Sequence, residues 1–185
     1  MNNDPRQPVL GLLRDHRGRV IDDHEAEMAD AMIAFVEAQP KCAERSLAVG
    51  HLTGSAWIVD AARQRTLLTH HRKLAKWLQL GGHADGDLDL PAVAFREAEE
   101  ESGLTRLSLV DGTLFDVDRH LIPARKSDPE HWHYDLRFMV EADPAEPLVI
   151  SAESHDLAWI EIDRMAAYND EESMMRMARK TLALR

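Results

Sequence analysis

Cysteine is nearly absent from this chain. Cys42 stands alone among 185 residues, which excludes an internal disulfide and leaves packing as its role. Glycine (9) and proline (8) are sparse, and no repeat, low-complexity tract or Pro/Ser-rich linker divides the sequence, which excludes a fibrous or disordered chain. No apolar run approaches the roughly 20 residues that cross a bilayer. The opening Met1-Asn2-Asn3-Asp4 lacks the apolar centre of a signal peptide, so the expectation is a soluble, cytoplasmic protein with no membrane partner. Basic charge is in the minority. With 22 Lys+Arg against 33 Asp+Glu the net charge is −11, which argues against charge-driven binding to nucleic acid. A small anionic ligand stays open if a metal ion mediates the contact. What remains is 44% hydrophobic, enough for one domain with a proper core.

Asp22 to Glu37 places Met28, Ala31, Met32, Phe35 and Val36 at helical spacing and stops before Pro40, so residues 1–45 read as a helical extension packed on a domain spanning 46–185. Ala56–Val59 and Arg65–Thr69 read as strands, and Trp77–Leu80 as a third, ended by Gly81-Gly82. Pro91 to Ser102 reads as a helix with proline in its first turn and Gly103 as a left-handed cap. Leu107–Val117, His131–Glu141 and Leu157–Ile162 follow as strands, and Glu171–Leu184 as a closing helix. Helices interrupting a run of strands predict an α/β (α+β) fold, a mixed sheet between helices.

The helix that ends at Gly103 is badly charged for its position. Glu97, Glu99, Glu100 and Glu101 crowd its C-terminal end, where the partial negative charge of the helix disfavours acids. Glu97, Glu100 and Glu101 fall on one arc, where like charges repel by about 0.2–0.5 kcal/mol per pair, and Val93 and Leu104 lie on that arc too. An arc apolar at both ends faces inward or into a cleft. Carboxylates gathered there suit a hard divalent cation, while an acidic solvent face is the plainer alternative. Arg96 is spaced to pair with Glu100.

Gly82, Arg96, Glu97, Glu100, Glu101, Gly103 and Leu104 match the spacing G-x5-E-x7-R-E-U-x-E-E-x-G-U, in which U is bulky and apolar; Ala98 is a small stand-in for the first U. This segment resembles the Nudix box. One position departs, because Leu88 stands where the pattern has its first Glu, with Asp87 and Asp89 on either side. In the family that Glu supports the loop and the Arg, and a flanking Asp is the expected replacement. The resemblance implies a Nudix-like α/β/α sandwich and a metal-dependent hydrolase that cleaves the phosphoanhydride of a nucleoside diphosphate linked to another group, or of a related nucleotide. Glu97, Glu100 and Glu101 would hold Mg²⁺ or Mn²⁺, neutralising the diphosphate and activating a water for in-line attack. Arg96 joins the catalytic set. Glu153, in a loop before a strand, is the candidate base outside the box, with a surface acid as its alternative.

Histidines supply a second cluster. His131, His133 and Asp135 alternate on one face of a strand whose other face carries Trp132, Tyr134, Leu136 and Phe138. His83 follows Gly82, and His70-His71 end an earlier strand. His83, His131 and His133 suit a transition-metal ion or substrate phosphates, or a plain solvated face. Gly82 and Arg72 join the candidate substrate contacts. Arg63, Arg65, Lys73, Lys76 and Arg125-Lys126 offer a basic rim. The four tryptophans read as core or sheet-face residues, and Met174, Met175 and Met177 as packing or homodimer contacts.

Two other functions stay on the table. A chain with Leu88 in the box could bind a nucleotide or metal without cleaving it. Isopentenyl-diphosphate isomerase shares the fold and carries Cys-Gly-His where this chain has Gly81-Gly82-His83, so the histidine matches and the catalytic cysteine does not.

Overall fold

The computed structural model describes residues 4–20, 22–124 and 129–185. Two helices come first, α1 (Gln7–Arg17) and α2 (Asp23–Ala38), the second capped by Asp22, whose carboxylate accepts the Glu25 N–H at 2.8 Å. Seven strands follow: β1 (Gly50–Val59), β2 (Arg65–His71), β3 (Lys76–Leu78), β4 (Leu80–His83), β5 (Ser108–Ile122), β6 (His131–Glu141) and β7 (Ser154–Glu161). Helix α3 (Leu90–Ser102) stands between β4 and β5; a 3₁₀ turn (Ile162–Ala167) and helix α4 (Glu172–Leu182) close the chain. The described residues form the mixed sheet between helices that the order of elements predicted.

At the centre β1 and β6 run parallel, paired from Gly50↔Trp132 to Val59↔Glu141, and β5 lies antiparallel on the outer side of β6. The other edge of β1 divides between two partners. Thr53–Ala56 pair with His83–Leu80 of β4, whereas Ile58–Val59 pair with Leu67–Thr66 of β2, so the sheet forks there. Beyond the fork β2 carries β3 and β7.

Alternation along β1 and β6 sends opposite residues to opposite faces. Leu52, Tyr134, Leu136 and Phe138 pack with α1, α2 and the start of α3 in one core that includes Cys42. Ala56, Ile58, Leu80, Ala98, Leu104 and Val140 continue it under the end of α3. On the opposite face Trp57, Val59 and Met139 meet Met174 and Met177 of α4, and the Trp57 indole donates to Thr181 Oγ1 at 2.8 Å. Met174 and Met177 are therefore packing residues.

Near the β5 edge that face carries a buried charge network. The Arg137 guanidinium reaches Asp135 at 2.7 Å, Asp116 at 3.2 Å and Asp118 at 3.4 Å, and Arg176 of α4 grips both Asp116 oxygens at 2.8 Å. Glu25 of α2 accepts from Lys180 at 2.6 Å and bonds His16 Nε2 at 2.9 Å, so the N-terminal helices are tied around β5 to α4. No helix among the described residues is long and apolar enough to cross a membrane.

Three strand boundaries differ from those the sequence pattern predicts. Gly81-Gly82 do not end a strand but sit inside β4, because other atoms approach their backbone closely. Strand β1 begins at Gly50 rather than Ala56, since Gly50 and Gly54 leave Leu52 as the lone large apolar side chain of its first half. Strand β5 continues past Val117 to Ile122, the consecutive polar residues Asp118, Arg119 and His120 having hidden its second half.

Candidate active site

Helix α3 is built as its sequence predicts. Asp89 caps it, accepting the Ala92 N–H at 3.2 Å, Pro91 lies in the first turn, and Gly103 closes it with φ of +71°, a conformation that side chains strain to adopt. Val93, Ala94, Ala98 and Leu104 fix its inner face. That rotation turns Glu97 and Glu101 onto β4.

The two acids meet the two glycines. Glu101, 9% exposed, accepts the Gly81 N–H at 3.0 Å. The Glu97 carboxyl lies so close to Gly82 that a β-carbon there would fall 2.4–2.5 Å from its atoms. Only glycine leaves room for it. Glu100, the third acid, is exposed beside them. Burial pushes the Glu97 carboxyl above the usual range and Glu100 adds to the rise. Burial raises Glu101 to about 7, with further repulsion from Glu97, Glu153 and Glu100, against the opposing Gly81 N–H.

Glu153 is exposed in the loop before β7, and its charge acts on Glu97, Glu101 and His83. Arg72 holds that loop. Its backbone N–H donates to the Glu153 carbonyl at 2.9 Å and its guanidinium to the Ser154 carbonyl at 3.0 Å. Three more of the basic run are engaged: Arg63 with the Leu184 carbonyl, Arg65 with Asp60, and Lys76 with Glu171. Arg125-Lys126 lie outside the described residues.

Arg96 does not pair with Glu100 as expected. Its ion pairs run to Asp87 at 3.8 Å and Glu97 at 3.9 Å, because Glu97 is turned toward β4 and Asp87 toward the helix flank. Asp87 Oδ1 also accepts the Asp89 N–H at 2.9 Å. Leu88 between them packs against the core of the N-terminal helices.

A polar strip on the sheet surface adjoins these acids. Asp135 accepts hydrogen bonds from Thr53 at 2.9 Å, Ser55 at 2.7 Å and Gln79 at 3.1 Å. Toward its outer end four histidines converge: His51 of β1 has ring centroids of His83, His131 and His133 within 4.8–5.0 Å. Burial holds His51 down to about 4 and His133 down to about 2, with neighbouring charged groups adding to the effect, and His83 is lowered as well. Sequence reasoning brought His83, His131 and His133 together but missed His51. The signal was the alternation His51, Thr53, Ser55, which puts polar groups on the strip that Asp135 occupies.

A cavity of about 530 Å³ opens at the β5 edge between α1, α2 and α4 and is lined by none of Glu97, Glu100 and Glu101.

A family model for the NUDIX domain matches residues 51–180. The chain belongs to the Nudix family of pyrophosphohydrolases. Solved structures agree on the Nudix fold. A Caenorhabditis elegans Ap4A hydrolase is 19% identical, with a TM-score of 0.58 over 72% of this chain and 96% of its own. A Nudix-family hydrolase from Clostridium perfringens is 24% identical, TM-score 0.52, over 73% and 98%. The Escherichia coli dihydroneopterin triphosphate pyrophosphohydrolase is 16% identical, TM-score 0.55, over 72% and 96%. No curated protein matched. The Nudix box of this chain is thus the strand–loop–helix running from β4 through α3.

Proposed function

We propose that this Nudix protein hydrolyses a phosphoanhydride bond in a nucleoside diphosphate linked to another group, or in a related nucleotide, using Mg²⁺ or Mn²⁺ held by Glu97, Glu100 and Glu101. The observation that carries this reading is the pairing of Glu97 with Gly82 and Glu101 with Gly81: two half-desolvated acids on one helix turn, each raised by burial and by its neighbours' charge. Such a donor set fits a hard divalent cation, which relieves the repulsion. A cation bound there supplies positive charge against the diphosphate and makes an attacking water more acidic.

The protein's own groups divide the remaining work. Arg96 holds Glu97 from one side and Asp87 from the other. Glu153 takes the proton of the attacking water, and Arg72 keeps that carboxylate's loop in place through Ser154. Gly82, His83, His131 and His133 line the surface over which the phosphates lie. Asp87 replaces the missing box Glu as the support of Arg96.

The test is a substrate panel of nucleotide sugars, ADP-ribose, dinucleoside polyphosphates, pteridine triphosphates and oxidised nucleoside triphosphates, each with Mg²⁺ and with Mn²⁺. Metal-dependent turnover of at least one supports the reading. Tight nucleotide binding with no turnover anywhere replaces it with a binding module.

A further inference from the structure

We propose that His51, His131 and His133 form a second metal site, built for a transition ion of the Zn²⁺ class rather than for Mg²⁺. Each residue offers a ring nitrogen, and the three nitrogens lie within 4.8 Å of one another. Zn²⁺ binds imidazole at about 2.0–2.1 Å in tetrahedral geometry, which sets neighbouring nitrogens roughly 3.3–3.4 Å apart. His131 Nε2 and His133 Nε2 stand 3.3 Å apart, the edge of such a tetrahedron. His51 completes the trio with a nitrogen no more than 4.8 Å from the other two.

Two independent observations point the same way. His51 is 2% exposed, and neither of its ring nitrogens has a hydrogen-bond partner, although buried polar groups are almost always paired. An ion facing that ring supplies a partner for one of the two nitrogens. His131 is meanwhile oriented from behind: its Nδ1 bonds the Pro129 carbonyl at 2.8 Å. That contact requires the proton on Nδ1, so the lone pair sits on Nε2, toward His133 and His51.

The donor type separates the two sites. Imidazole nitrogens select Zn²⁺, Co²⁺ or Ni²⁺, whereas Glu97, Glu100 and Glu101 present hard oxygens suited to Mg²⁺ or Mn²⁺. His83 stands between them. It follows Gly82, against which Glu97 packs, and its ring is 5.0 Å from both His51 and His133. Three protein ligands leave one tetrahedral position open, which a water or a phosphate oxygen fills.

The test uses tag-free, chelator-treated protein titrated with Zn²⁺ by calorimetry and with Co²⁺ by visible absorption. The expected result is one Zn²⁺ bound and a Co²⁺ spectrum of nitrogen ligation, both retained in the triple variant Glu97→Gln, Glu100→Gln, Glu101→Gln. His133→Gln and His131→Gln each weaken Zn²⁺ binding at least about tenfold. The half-exposed His131 is included because its replacement leaves the core untouched, and circular dichroism checks both folds. Failure to take up Zn²⁺, a Co²⁺ spectrum of oxygen ligation, or unchanged affinity in both histidine variants overturns the proposal. Zn²⁺ uptake is read without substrate, so loss of the hydrolase reading leaves this result standing.

Discussion

The Glu97 carboxyl occupies the space that a side chain on Gly82 would fill. Gly82→Ala therefore collides with a flexible side-chain tip and not with backbone. Glu97 swings away at little cost to folding. Expected outcomes are a fall in kcat of about 10–100-fold and a stability change within about 1 kcal/mol, read from steady-state kinetics and thermal melts. A variant with native kcat would mean that Glu97 works equally well from another position.

Asp87 pairs with Arg96 at 3.8 Å and Asp89 caps α3, so the two flanks of Leu88 are separable by substitution. Asp89→Ala removes the N-cap of α3 and costs about 1 kcal/mol in stability, with kcat retained. Asp87→Ala frees Arg96 and lowers kcat about tenfold, with a smaller effect on the melt. Denaturant titration beside kinetics distinguishes the two patterns, and the reverse pattern would exchange the roles.

Glu100 is exposed and bears little on packing. Glu100→Gln keeps the fold and reduces metal-dependent turnover by about 100-fold or more. Full activity on the preferred substrate would remove Glu100 from the metal-binding set.

Stability against acid has a separate source. Burial alone would push the Glu25 carboxyl upward, but bonds from His16 and Lys180 outweigh it and hold the group at about 2. A depressed folded value contributes stability that is complete above the unfolded value of 4.5 and lost as pH falls toward 2. Over that window the contribution is about 3 kcal/mol. Glu25→Gln is expected to be less stable than the wild type at neutral pH, with the gap narrowing by that amount near pH 2.5 in urea melts. A gap that stays constant across the window would assign acid sensitivity elsewhere, with Asp118, also held at about 2, the next group to replace.

The helix of the box was legible because each of its signals is local: Asp89, Pro91 and Gly103 mark its ends, and apolar spacing fixes its rotation. The pairing of Glu97 and Glu101 with the two glycines was not, because it depends on β4 lying beside α3, a contact that no spacing encodes. The histidines were half legible. His131 and His133 share a strand face by simple alternation, but His51 comes from a strand eighty residues away and reaches them only through the parallel register of β1 with β6. Arg137 with its three aspartates was hidden for a related reason, since Asp116 and Asp118 enter from a third strand.

The fork at β1 has a mechanical meaning. Strand β4 is paired with β1 along its whole length, Leu80 to His83, while Gly81 and Gly82 also meet Glu101 and Glu97 of α3. Helix α3 is seated just as closely on β1, where a β-carbon on Gly54 would fall 2.9 Å from Val93 and 3.1 Å from the Leu90 carbonyl, so the short limb of the fork, the helix and the central strand make one rigid block that keeps the acids and the glycines in register.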